Sequence, residues 1–144
     1  MRPSRKVVVG MTATMSQRET ASAGSRLRCL IVEDQMLIAL SIEGYLEDLG
    51  YEVEGPFTTG TAALSWLETH TPQAAILDYS LLDGACNELA RELRRRGIPF
   101  VIYSGYRPSA ERPAEVKGVP WLEKPCTRED LLRALRSVLE LVGG

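Results

Sequence analysis

The sequence predicts an α/β fold, a doubly wound five-stranded parallel sheet with helices on both faces. Three observations predict it. Short apolar runs alternate with longer segments of helical period, the pattern of repeated strand-helix units that builds a parallel sheet. One run, residues 74 to 77, is apolar without a break, as a central strand buried on both faces reads. Several runs stop abruptly on charged or hydroxyl residues, at the sheet edge where open α/β folds gather their ligands.

At 144 residues and 44% hydrophobic, the chain is sized for one domain with its own core and needs no metal or disulfide staple. No apolar run approaches the ~20 residues needed to cross a bilayer, so a cytoplasmic protein without a membrane span is expected. Cys29, Cys86 and Cys126 are odd in number and scattered, which suits a reducing compartment and reads as small buried hydrophobes. Residues 1 to 26 carry five cations against one acid, +4 in balance, which leaves -6 of the net -2 for residues 27 to 144. An acidic folded part argues against a nucleic-acid partner.

Residues 1 to 26 are rich in Ser, Thr, Ala and Arg without a sustained period, and a mobile basic tail is expected there, with one folded domain from 27 to 144. The first strand spans 27 to 32 and ends on Glu33-Asp34. A helix follows over 35 to 49, with Ile38, Ile42, Tyr45, Leu46 and Leu49 on one face and Gly50 as its stop. The second strand covers 51 to 54 and is closed by Gly55-Pro56. Thr58 or Thr59 caps a second helix carrying Ala63, Trp66 and Leu67, which ends near His70; that lone histidine reads as a solvated loop residue.

The central strand ends on Asp78, and Asp83-Gly84 makes a turn into a third helix over 85 to 96, with Cys86, Leu89, Ala90 and Leu93 inward. Arg94-Arg95-Arg96 reads as cations complementing the dipole at its C-terminus. The fourth strand, 99 to 103, ends on Ser104-Gly105. Prolines at 108 and 113 restrict any fourth helix to a turn or two, in a short mobile crossover. The fifth strand, 119 to 122, ends Glu123-Lys124-Pro125, and Thr127 with Asp130 opens a last helix that buries Leu131, Leu135, Val138, Leu139 and Val142.

The strand ends collect Glu33, Asp34, Asp78, Ser104, Gly105 and Lys124 at one edge, and the second strand adds nothing obvious. Two carboxylates ~5 Å apart repel by roughly 3 kcal/mol at an effective dielectric near 20. Three need a counter-charge beyond the one Lys124 supplies, and an all-oxygen site with few protein ligands suits Mg²⁺. A carboxylate becomes a competent phosphoryl acceptor when a metal, an ammonium and a hydroxyl hold the incoming charge.

In these residues the sequence resembles the receiver domain of two-component response regulators, over residues 27 to about 142. The resemblance implies a flavodoxin-like (CheY-like) fold. It implies Asp78 as the acceptor of a phosphoryl group from a sensor histidine kinase or phosphotransfer protein. Glu33, Asp34 and Asp78, with the main-chain carbonyl of Ser80, would hold Mg²⁺, and Ser104 and Lys124 would bind the phosphoryl oxygens. Family members usually place Tyr or Phe three residues before the Lys as a moving ring; here that place holds Trp121. Ser104-Gly105-Tyr106 is similar instead to a variant subgroup, often stand-alone receivers, whose fourth strand ends Phe-Ala-Thr-Gly-x-Tyr. Trp121 and Tyr106 are thus both candidates for the moving ring.

With nothing after Gly144 in this sequence, the expected product is a single-domain regulator, monomeric or weakly dimeric, acting by protein contact or as a phosphate sink. Self-phosphorylation and slow autodephosphorylation are the only catalysis expected. An aspartyl-phosphate phosphohydrolase is the enzyme alternative, and Ser80 stands where such enzymes carry a second Asp. An unphosphorylated binding module is the third reading, in which the complete acid and lysine set has no use.

Overall fold

The computed structural model describes residues 27 to 81, 83 to 84, 86 to 107 and 112 to 143, with side chains up to residue 140. The expected tail over 1 to 26 lies outside the described residues, as does the side chain of Val142. Strands β1 (Arg28–Val32), β2 (Glu52–Phe57), β3 (Ala74–Leu77), β4 (Phe100–Ser104) and β5 (Trp121–Glu123) alternate with helices α1 (Met36–Asp48), α2 (Gly60–Leu67), α3 (Cys86–Arg95) and α4 (Arg128–Gly143), and a 3₁₀ turn over Ala114–Val116 stands between β4 and β5. All strand pairs are parallel and the order is β2-β1-β3-β4-β5, the flavodoxin-like doubly wound arrangement.

Alternation along the strands divides the core in two. Leu30 and Val32 of β1, Leu77 of β3 and Ile102 of β4 face α2 and α3, whereas Cys29, Ile31, Ile76 and Val101 face α1 and α4. Both faces are covered, which is why β1, β3 and β4 read as unbroken apolar runs. The third helix buries Cys86, Leu89, Ala90 and Leu93, the spacing expected from its sequence. Each such leucine contributes about 1.5–3 kcal/mol by burial. Cys29 and Cys86 are buried, as small hydrophobes would be, and burial pushes both thiols up to about 12.

Two local expectations are corrected. The second strand does not stop at Gly55-Pro56 but continues to Phe57, because β2 lies at the edge of the sheet, where a proline costs no ladder bond. Its register against β1 shifts between Leu30 and Val32, and Gly55, at φ +102, absorbs the irregularity. A Cβ at Gly55 would lie 2.8 Å from the Ile31 carbonyl and 2.7 Å from the Phe57 nitrogen. Leu49 is not on the buried face of α1: the helix ends at Asp48, and Leu49 turns outward, 46% exposed.

The arginine run does more than complement a dipole. Arg94 Nε donates to the Glu115 carbonyl at 2.7 Å and its Nη2 to the Lys117 carbonyl, while Arg91 pairs with the Glu115 carboxylate. Arg95 pairs with Glu92, and Arg96 donates to the Leu67 carbonyl at the end of α2 at 2.8 Å. Among the described residues of the fourth crossover the helical content is a single turn, in keeping with its prolines, and α3 staples that turn in place. The caps also follow the sequence: Thr59 Oγ1 accepts from the Ala62 N–H and Thr127 Oγ1 from the Asp130 N–H. Among the described residues no helix is long and apolar enough to cross a membrane.

Candidate phosphoacceptor site

The residues that stop the strands meet at the C-terminal sheet edge. The Glu33 N–H donates to the Phe57 carbonyl at 2.8 Å, so β2 fixes the place of the first acid. The Asp78 N–H donates to the Val32 carbonyl at 2.9 Å, joining the ends of β1 and β3. The Lys124 N–H donates to the Ser104 carbonyl at 2.7 Å and joins β4 to β5. Backbone pairing thus carries Glu33, Asp78, Ser104 and Lys124 to one line, and their side chains complete the site.

Lys124 Nζ lies 2.7 Å from Glu33 Oε1 and 3.3 Å from Asp78 Oδ2, with both carboxylates almost fully buried. It donates also to Gln35 Oε1 at 3.3 Å and stands 5.6 Å from the Tyr103 ring centroid. Glu33 Oε2 accepts the Gln35 N–H at 2.9 Å. The other oxygen of Asp78, Oδ1, accepts the Ser80 N–H at 3.0 Å and the Ser80 hydroxyl at 3.1 Å. Carboxylate oxygens of Glu33, Asp34 and Asp78 lie within 4.8 Å of one another. A cavity of about 580 Å³ opens above them, lined by Asp34, Gln35, Asp78, Ser80, Gly105, Tyr106 and Lys124. A Cβ added at Gly105 would meet nothing within 4 Å, so the cavity wall is open on that side.

The electrostatics separate the two buried acids. Burial pushes Glu33 up to about 7, more than its hydrogen bonds from Lys124 and the Gln35 N–H restore. Burial acts on Asp78 in the same direction, but the Ser80 N–H and the charge of Lys124 outweigh it and hold this carboxyl below its ordinary value. Desolvation would lower Lys124, yet the hydrogen bond to Glu33 and the nearby Asp78 charge raise it. At neutral pH the Asp78 carboxylate is ionised, whereas burial makes Glu33 the more readily protonated of the two. The donor set is all oxygen and carries more negative charge than one ammonium offsets, which fits a small hard divalent cation.

The switch candidates sit beside this cavity. Ser104 is fully buried and its hydroxyl accepts the Tyr106 N–H at 3.2 Å. Trp121 is pinned: its Nε1 donates to the Tyr106 carbonyl at 2.8 Å, its ring packs 5.0 Å from that of Tyr79, and the Arg112 guanidinium lies 5.5 Å from its centroid. Tyr106 is 66% exposed. A second cavity of about 420 Å³ lies alongside, and Tyr106 and Ser80 belong to both walls.

A profile of the response regulator receiver domain matches residues 29 to 136. The chain belongs to the response regulator receiver family. The receiver is 30% identical to the cyclic di-GMP phosphodiesterase response regulator RpfG of Xanthomonas campestris pv. campestris (strain 8004), over 93% of this chain and 39% of that protein. It is 34% identical to the transcriptional regulatory protein DesR of Bacillus subtilis (strain 168), over 76% of this chain and 56% of that one. Among solved structures it resembles the CheY-like receiver domain protein of Methanospirillum hungatei JF-1, with a TM-score of 0.73 and 29% identity over 82% of this chain and 97% of that one. The receiver therefore spans about half the length or less of these two relatives, and belongs to two-component signalling as a response regulator receiver domain.

The reading from sequence missed three contacts of this site. Gln35 bridges Glu33 and Lys124 through its N–H and its side-chain oxygen. Ser80 donates both its N–H and its hydroxyl to Asp78, and an Asp followed two residues later by Ser is the signal that could have found it. Asp83, read as a turn residue, reaches the start of α2.

Proposed function

We propose that the receiver accepts a phosphoryl group on Asp78 from the phosphohistidine of a sensor histidine kinase or phosphotransfer protein, and that it works as a stand-alone cytoplasmic switch or phosphate sink. The observation that carries this reading is the pairing of an ionised, cavity-facing Asp78 with Lys124 at 3.3 Å. An Asp78 oxygen forms the new bond to phosphorus as the phosphorus–nitrogen bond of the donor breaks, and the imidazole leaves with the electron pair. Lys124 and the Ser104 hydroxyl then take the phosphoryl oxygens. Glu33, Asp34 and Asp78, with the main-chain carbonyl of Ser80, would hold Mg²⁺, which when bound supplies the positive charge an anionic donor needs near a carboxylate.

On this reading the bond from the Tyr106 N–H to Ser104 is the latch. A phosphoryl group draws the Ser104 hydroxyl toward itself, frees the Tyr106 N–H and lets the exposed Tyr106 ring move, while Trp121 stays packed between Tyr79 and Arg112. The apolar side chains of Met36, Leu37 and Leu40, exposed at the start of α1 next to Gln35, are the surface offered to the donor protein.

The test is intact mass after incubation with acetyl phosphate and Mg²⁺. The expected result is one phosphoryl increment that needs the metal and is absent in Asp78→Asn. No increment, under conditions that phosphorylate a control receiver, would favour an unphosphorylated binding module instead.

A further inference from the structure

Asp83 lies five residues beyond Asp78, in the loop that leads from β3 to α3, and the phosphotransfer chemistry above makes no use of it. Its Oδ1 accepts the Gly60 N–H at 3.2 Å, and its Oδ2 accepts both the Thr61 N–H at 2.9 Å and the Thr61 hydroxyl at 2.7 Å. One carboxylate thus takes two of the N–H groups that the first turn of α2 leaves without helical partners, at the positive end of that helix. The helix already has a cap of its own in Thr59. What Asp83 adds is a tie between two loops of one sheet edge, 22 residues apart in the chain.

The tie crosses between loops, whereas the hydrogen bonds of its described neighbours Ser80 and Gly84 are local. Among the described residues, the Ser80 N–H and hydroxyl bond to Asp78, and the Gly84 N–H bonds to the Leu81 carbonyl. Leu81 is buried in the α2 and α3 layer and anchors the loop by packing, which is non-directional, so hydrogen bonds are what can fix its orientation. Asp83 supplies three such contacts.

We propose that Asp83 is a positioning residue for phosphotransfer. By clamping the loop to the start of α2, it keeps both Ser80 donors on Asp78 Oδ1 and so holds the other oxygen of Asp78 toward Lys124. This rests on Asp78 being the phosphoacceptor. It also gives α2, which places no side chain in the cavity lining, a part in the chemistry.

The experiment compares Asp83→Ala, Asp83→Asn and Thr59→Ala with the parent chain at a temperature where all are folded. Thr59→Ala removes a cap from the same helix without touching the loop, so it reports what weakening α2 does by itself. Two quantities are read: the rate of phosphorylation by acetyl phosphate with Mg²⁺, in which acetate leaves as the Asp78–phosphorus bond forms, and the NMR exchange rate of the Ser80 amide. A small misplacement of a reacting group costs tenfold or more in rate, so Asp83→Ala should be phosphorylated about tenfold more slowly and exchange its Ser80 amide about tenfold faster. Thr59→Ala should stay within about twofold of the parent on both, and Asp83→Asn, which keeps an acceptor oxygen, should recover part of the loss. Parent values in Asp83→Ala, or an equal loss in Thr59→Ala, would overturn the proposal. If the parent chain takes no phosphoryl group, the function proposed above fails, and the Ser80 exchange rates alone decide the role of Asp83.

Discussion

Replacing Lys124 by Met removes a charge while leaving an aliphatic chain of similar reach, so its consequences are electrostatic rather than steric. In the parent protein the ammonium stands 2.7 Å from Glu33 and 3.3 Å from Asp78, whose side chains are 1% and 3% exposed. Losing one partner from a buried ion cluster costs about 3–5 kcal/mol, because the remaining charges have been taken out of water without compensation. Glu33, raised by burial, relieves part of this by taking up a proton, which places the expected loss at the lower end, about 3 kcal/mol at pH 7.5. At a urea dependence of about 1–3 kcal/mol per M, the unfolding midpoint in EDTA should fall by about 1–3 M. At pH 5 the loss should shrink, since Glu33, raised by burial and further by removal of the lysine, then protonates. Mg²⁺ should restore more stability to the variant than to the parent, because it binds only the folded state and replaces the missing charge. A midpoint within about 0.3 M of the parent at pH 7.5, or a loss that is equal at the two pH values, would refute the electrostatic account.

The raised Glu33 makes a further demand on the parent protein: between the ordinary value of 4.5 and about 7 the folded state holds a proton that the unfolded chain has released. Stability in EDTA should therefore fall as pH rises through that window, by roughly 2 kcal/mol, and Glu33→Gln should flatten the slope; a rise in stability over the same window would contradict the sign. Asp78, whose carboxyl is lowered, contributes in the opposite sense, but only at more acid pH. Ser104→Ala should still be phosphorylated by acetyl phosphate, while the movement of Tyr106, followed by a ¹⁹F label on that tyrosine, is lost; an unchanged label response would defeat the latch. Leu37→Glu, at a side chain 82% exposed, should leave acetyl phosphate labelling unchanged and slow transfer from a histidine-phosphorylated donor protein about tenfold or more, a loss of at least ~1.4 kcal/mol in association.

The acids, Asp78, Ser104 and Lys124 were legible because each terminates an apolar run, and a parallel sheet carries all such ends to one edge. The core was legible for the same reason: Leu89, Ala90 and Leu93 repeat at helical spacing, and residues 74 to 77 admit no polar face. What the sequence hid are contacts between segments far apart along it. The Asp83 carboxylate finds Thr61 and Gly60 through the relative placement of two loops, and Arg94 and Arg96 find carbonyls of neighbouring elements, and no local pattern encodes either. Gly55-Pro56 misled in the opposite way. It is a turn signal in isolation, overridden here by a strand at the sheet edge with room for a bulge.

That bulge limits how the protein can be re-engineered. Exchanging glycine for alanine is a common way to stiffen a chain and raise its melting temperature, but it fails where the backbone is left-handed. At Gly55 the added methyl would press on the Ile31 carbonyl and on Phe57, the residue whose carbonyl seats Glu33. A stabilising library that includes this position would therefore disturb the placement of a buried acid that lies across the strand from the change. Designers of sensor circuits built on this scaffold should hold residues 55 to 57 constant, and treat the outermost strand as part of the site's architecture.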